Sequence, residues 1–123
     1  MKYLEAVLVD DDPVTHLVHK LAISQSGLDC KVVAFESGEE VLSYLDELSA
    51  KNDGKRLMLL DINMPVIDGW DVLDKLSSNE VDVDVIVVSS SINPRDMEKA
   101  STYKLVKAFI SKPLTKGKLI AAI

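Results

Sequence analysis

Leu57-Met58-Leu59-Leu60-Asp61 decides the fold: an unbroken apolar run that ends on a carboxylate. A half-exposed strand would alternate apolar and polar residues. A continuous run marks a strand buried on both faces, the habit of parallel sheets covered by helices on each side. Val83 to Val88 is a second run, interrupted only at Asp84 and unbroken from Val85, and ends in Ser89-Ser90-Ser91. Tyr3 to Val9 is an apolar, β-rich run broken once at Glu5 and stopping at Asp10-Asp11-Asp12, while Lys31 to Phe35 and Leu105 to Ser111 complete five predicted strands.

Helical patterns separate the strands. Asp12 is a good N-cap and Pro13 suits a first helical turn; Val14, Leu17, Val18, Leu21 and Ala22 then form a stripe that predicts the buried face of a first helix, closed by Gly27. Ser37 and Glu40 read as a capping box, followed by Val41, Leu42, Leu45 and Leu48 up to about Ala50. Asn52-Asp53-Gly54 signals a turn. Trp70, Leu73 and Leu76 mark a third helix after Asp68-Gly69. Arg95 to Lys104 predicts a weakly anchored fourth, with Met97, Ala100 and Tyr103 as its apolar contacts, and Leu119, Ile120 and Ile123 a short fifth. Five β/α units imply a doubly wound (βα)5 three-layer α/β sandwich with right-handed crossovers.

The chain has 123 residues, 47% of them hydrophobic and 28% charged, with a mean hydropathy of +0.12, which fits one compact domain spanning 1–123 and no output domain. No apolar run approaches the roughly 20 residues of a membrane span, the first residues form no signal peptide, and the single Cys30 fits a reducing cytoplasm. The net charge of −6 disfavours direct nucleic-acid binding. Residues 1–91 carry 7 Lys/Arg against 18 Asp/Glu, whereas residues 92–123 carry 7 against 2. The basic last quarter, with Lys99, Lys104, Lys107, Lys116 and Lys118, is therefore a candidate docking face for an acidic partner.

In open α/β sheets ligands bind at the carboxyl ends of the strands. Asp10 and Asp11 follow the first strand, Asp61 the third, Ser89 the fourth and Lys112 the fifth. Carboxylates brought together repel by about 4 kcal/mol at 4 Å and an effective dielectric of 20, so they shift upward in pKa or recruit a cation. A hard, all-oxygen set with room for water suits Mg²⁺. With a lysine ammonium and a serine hydroxyl alongside, the set forms a cradle for a phosphoryl group, and Asp61 is the carboxylate placed to be the nucleophile.

Val7 to Pro13, Leu59-Leu60-Asp61-Ile62-Asn63-Met64-Pro65 through Asp68-Gly69, Val87-Val88-Ser89-Ser90 and Phe109-Ile110-Ser111-Lys112-Pro113 together resemble the receiver domain of two-component response regulators, of the single-domain chemotaxis-regulator type. The resemblance covers essentially the whole chain. It implies a flavodoxin-like fold with strand order 2-1-3-4-5 and phosphoryl transfer to Asp61 from a sensor histidine kinase or phosphotransfer protein. It implies Mg²⁺ held by Asp10, Asp11, Asp61 and the backbone carbonyl of Asn63, with Lys112 pairing the phosphoryl group ahead of a cis peptide to Pro113. Ser89 becomes the switch hydroxyl and Phe109 the switch aromatic. The spacing of 23 from Ser89 to Lys112 keeps Ser90 as a second register for the hydroxyl. The switched face would be the fourth helix, fifth strand and fifth helix, signalling to a downstream protein as a monomer or a phosphorylation-dependent dimer. Chemistry would be limited to self-catalysed phosphoryl transfer and slow autodephosphorylation.

Two alternatives share parts of this pattern. Asp10-x-Asp12-x-Val14 also resembles the nucleophile motif of haloacid-dehalogenase-type phosphohydrolases, although no acid follows Lys112. A flavodoxin-like carrier would need a phosphate loop where three aspartates stand. Asp12 reads as a cap, His16 and His19 as exposed or partner-facing, Cys30 as a small buried hydrophobe, and Trp70 and the methionines as packing.

Overall fold

A computed structural model describes residues 3–51, 53–79, 81–91 and 93–123. The elements run β1 (Glu5–Val9), α1 (Pro13–Gln25), β2 (Lys31–Phe35), α2 (Gly38–Lys51), β3 (Arg56–Leu60), α3 (Gly69–Ser78), β4 (Val83–Ser89), α4 (Pro94–Ser101), β5 (Val106–Ser111) and α5 (Lys116–Ala122). All strand pairs are parallel, in the order β2-β1-β3-β4-β5. The fold is thus the doubly wound, flavodoxin-like sandwich expected. Asn52, first residue of the predicted turn, lies outside the described residues. Among those described, no helix is long and apolar enough to cross a membrane.

The continuous apolar runs are explained by two cores. Val7, Val9, Met58, Leu60, Val85 and Val87 point to the side covered by α2 and α3, packing on Val41, Leu45, Leu48, Val72, Leu73 and Leu76. Their neighbours Ala6, Leu8, Leu57, Leu59, Ile86 and Val88 point to the side covered by α1 and α5, on Ala22, Ile23 and Leu119. Every residue of β1, β3 and β4 is buried. Each buried Leu, Ile or Val contributes about 2 kcal/mol, so the strands that carry Asp10, Asp61 and Ser89 are the most firmly held parts of the molecule.

Helix α1 departs from its predicted orientation. Asp12 caps it, its side chain accepting from the Val14 N–H at 2.9 Å. The stripe of Val14, Leu17, Val18 and Leu21 nevertheless faces solvent, with Leu17 66% exposed, and only Ala22 of the five predicted residues is buried. His16 and His19 are buried in its place, at 5% and 2% exposure, together with Ala22 and Ile23. Both rows obey the same 3.6-residue period. The buried row makes one polar contact that the exposed row has no group to make: His16 Nε2 donates to the Asp10 backbone oxygen at 2.7 Å.

Smaller differences have local causes. Helix α4 stops at Ser101 because the Thr102 and Tyr103 N–H groups bond three residues back, to Lys99 and Ala100, and tighten its last turn. Ala100 is its buried anchor, while Met97 is exposed. Cys30 precedes β2 and is only half-buried. Burial is also the first cause that raises its thiol pKa.

The amino ends of the strands hold a polar network that the apolar pattern does not announce. Buried Arg56 donates through Nε to Glu5 at 3.2 Å and through Nη1 to Asp53 at 2.7 Å. Tyr44 also donates to Glu5. Tyr3 donates to the buried Asp84 at 2.8 Å, with Lys55 3.5 Å from the same carboxylate.

Candidate functional site

Strand register assembles the site. Val9 lies beside Leu60, and the ladder continues one step further through the Asp61 N–H to the Val9 oxygen at 2.9 Å. Asp10 and Asp61 therefore leave neighbouring strand ends together, at the interstrand spacing of about 4.8 Å. On the other side of β4, Ser89 pairs with Ser111, and the Lys112 N–H donates to the Ser89 oxygen at 2.9 Å. A register shift between Val85 and Ile86 lets β5 take in Lys107 without displacing Ser89 from Ser111. Ser89 is fully buried at the site end of β4, and Ser90 is exposed.

The loop after β3 is built on Gly69. A Cβ there would stand 2.5 Å from Ile62 Cα and 2.7 Å from the Asp61 oxygen, so only glycine lets α3 begin this close to Asp61. The Gly69 N–H donates to the Ile62 oxygen, and Asp68 and Asp71 cap α3 reciprocally. Val66, at the tip, is 91% exposed with φ of 67°, a left-handed conformation that a β-branched residue adopts only under strain.

One carboxylate oxygen from each of Asp10, Asp11 and Asp61 lies within 4.8 Å of the others. At that separation each pair of charges repels by about 3 kcal/mol at an effective dielectric of 20. Lys112 Nζ stands 2.8 Å from Asp10 Oδ2 and 3.3 Å from Asp61 Oδ2. Burial pushes the Asp61 carboxyl above the usual carboxylate range; the Asn63 N–H and the lysine oppose that rise, and the Asp10 charge adds to it. Burial alone would lower Lys112, but the two carboxylates outweigh it and hold the ammonium above its ordinary value.

Each site group has defined partners. Asp61 Oδ1 accepts from the Asn63 N–H at 3.0 Å. Ser89 Oγ accepts from Asn63 Nδ2 at 3.3 Å and from the Ser91 N–H at 3.0 Å, which leaves its own O–H to donate. Phe109 is half-buried on β5, against the core under α2 and α3. The peptide between Lys112 and Pro113 is cis. Asp12 stands apart as a helix cap and is exposed. The second carboxylate of the phosphohydrolase motif is thus spent on α1, and that alternative has no support.

The residue set fits a divalent cation. Its donors are carboxylate oxygens, and the lysine leaves most of their charge unneutralised. Asp10 Oδ2 is buried without a hydrogen bond among the described residues, although it is paired in charge with Lys112. The expectation that His16 and His19 are exposed or partner-facing is overturned: both are buried, and His16 bonds the Asp10 oxygen; their spacing of three on α1 was the sequence signal that they share a face.

Known proteins resemble this chain over most of its length. A family model described as the response regulator receiver domain matches residues 6–123. The two-component response regulator ORR41 of Oryza sativa subsp. japonica is 30% identical over 118 residues, 96% of this chain and 90% of that protein. The two-component response regulator ARR22 of Arabidopsis thaliana is 29% identical over 99% of this chain and 82% of its own length. Among solved structures, a two-component response regulator from Cytophaga hutchinsonii superposes with a TM-score of 0.82 at 29% identity, covering 99% of this chain and 95% of that one. Acidic strand ends, the lysine opposite them and a match over nearly the full length lead to one family, and the chain belongs to it: it is a response regulator receiver domain of the two-component type.

Proposed function

We propose that Asp61 is the phosphoacceptor of this receiver and that residues 1–123 act as a single signalling switch. The observation that carries the reading is the charge imbalance at the strand ends, where three carboxylates face one lysine. Asp10, Asp11, Asp61 and the Asn63 main-chain carbonyl would hold Mg²⁺, which supplies charge neutralisation for an anionic donor. The Asp61 carboxylate oxygen forms the new bond to phosphorus while the bond from phosphorus to the donor nitrogen breaks, and the released imidazole takes up a proton. Lys112 moves its pairing from Asp61 to a phosphoryl oxygen. Ser89 donates its free O–H to another, and Phe109 follows it inward. The same site returns the carboxylate slowly by hydrolysis.

The signal leaves through α4, β5 and α5. Helix α4 has a single buried anchor and is tied to α3 at the surface, where Lys99 lies 4.4 Å over the Trp70 ring and Tyr103 donates to Asp74 at 2.7 Å. A change at Ser89 and Phe109 therefore meets little resistance there. The partners are a sensor histidine kinase or phosphotransfer protein upstream and an acidic protein surface downstream. The exposed row of Val14, Leu17, Val18 and Leu21 begins two residues past Asp12, at the mouth of the site, and is where the protein donor rests. No membrane or nucleic-acid contact enters this scheme, and its setting is the cytoplasm.

The test is intact-protein mass after incubation with acetyl phosphate. The expected result is one phosphoryl adduct that requires both Mg²⁺ and Asp61 and is absent in Asp61→Ala. An adduct that persists in Asp61→Ala overturns the assignment.

A further inference from the structure

We propose that His16 is a positioning residue for the cation site, acting through the Asp10 main chain; the proposal rests on the Mg²⁺ reading given above. Helix α1 had an apolar row to bury and buries imidazoles instead. His16 Nδ1 and both nitrogens of His19 lie in the interior without hydrogen-bond partners among the described residues. For packing alone, leucines on that row would serve better. Among the described residues, the one polar side-chain contact these imidazoles make is the bond from His16 Nε2 to the Asp10 oxygen, 2.7 Å long. It holds at either charge state of the ring, because the acceptor is a carbonyl and Nε2 must carry the hydrogen.

That carbonyl has a particular place. Strand β1 ends at Val9, so the Asp10 oxygen lies just past the strand's last residue. Asp10 is held at its other groups as well: its N–H by the Phe35 oxygen at 3.2 Å, its Oδ1 by the Asp12 N–H at 2.9 Å, and its Oδ2 by the Lys112 charge. His16 supplies the remaining constraint, on the peptide plane between Asp10 and Asp11. Asp11 is exposed and takes its direction from that plane. A loosened plane lets the Asp11 carboxylate swing out of the 4.8 Å cluster while Asp10 and Asp61 stay in place. His16 thus does for the main chain what outer-shell partners do for metal-ligating side chains.

The test is Mg²⁺ titration by isothermal calorimetry, paired with thermal unfolding. His16→Leu should weaken Mg²⁺ binding about tenfold while leaving the melting temperature equal or higher. His16→Gln, which keeps an N–H donor of similar reach, should restore binding to within about threefold. His16→Met serves as a second apolar replacement should leucine not be accommodated. Binding within twofold of the parent in the apolar variants overturns the proposal, as does a glutamine variant as weak as leucine. A parent that binds no Mg²⁺, or an Asp11→Asn variant that binds as the parent does, overturns the cation reading itself. That failure shows in proteins with His16 intact, so the two are separable.

Discussion

The two ends of the sheet use the same residue types to opposite effect. At the amino ends of the strands, buried Glu5 and Asp84 and exposed Asp53 stand beside Arg56, Lys55 and two tyrosine hydroxyls, and each of these carboxylates has a donor. At the carboxyl ends, Asp10, Asp11 and Asp61 share one lysine. The satisfied end closes the molecule. The unsatisfied end is held together by register and by the buried strands, against its own repulsion, and its charge is available to a cation and an anionic substrate. Burial of charge is thus no mark of function by itself; imbalance is.

This contrast can be broken in a graded way. The largest effect belongs to Arg56→Met, which strands Glu5 without its cation and should cost about 3–5 kcal/mol in urea unfolding. Asp61→Asn should move stability in the opposite direction. Its carboxyl is raised in the fold, so the charged form is disfavoured there and the amide should raise the melting temperature at pH 7 in the absence of metal. Equal losses in both variants would mean that the two ends do not differ.

Next in size is the pH response of His19, whose pKa burial lowers to about 4, with Asp10 opposing and Lys112 and His16 assisting. The unfolded chain takes up this proton near the ordinary value of about 6.5 and the folded one does not. Stability from this group is therefore complete above pH 6.5 and lost as pH falls toward 4, by about 3 kcal/mol. Unfolding measured at both ends of that window should show a flatter pH dependence in His19→Leu than in the parent.

Smaller effects sharpen the picture of the site's rim. Val66→Asn should stabilise by about 1 kcal/mol, since asparagine tolerates the left-handed conformation that valine resists. Leu17→Ser should change stability by no more than about 0.5 kcal/mol, because its side chain already faces water. Leu17→Glu combined with Leu21→Glu should leave modification by acetyl phosphate unchanged and slow transfer from a purified histidine phosphotransfer protein.

The strands were legible from their apolar runs, and their order came from the resemblance that the four-part motif carries. The convergence of Asp10, Asp61, Ser89 and Lys112 was legible because the first three are each the first polar residue past a run, Lys112 follows Ser111 at the end of the last strand, and parallel register brings such residues together. The rotation of α1 was not, since Val14-Leu17-Val18-Leu21 and His16-His19-Ala22-Ile23 share one period, and the bond from His16 to the Asp10 oxygen spans residues that no local pattern links. Nor was the network of Glu5, Arg56 and Asp84, whose partners lie as far as 81 residues apart along the chain.

The most direct test of the central claim is where the phosphoryl group attaches. The protein is treated with acetyl phosphate and Mg²⁺, the acyl phosphate is reduced with borohydride, and the trapped residue is mapped by peptide mass spectrometry. A single trapped position, Asp61, is expected, with Asp10 and Asp11 unmodified. Trapping at Asp10 or Asp12 would contradict it.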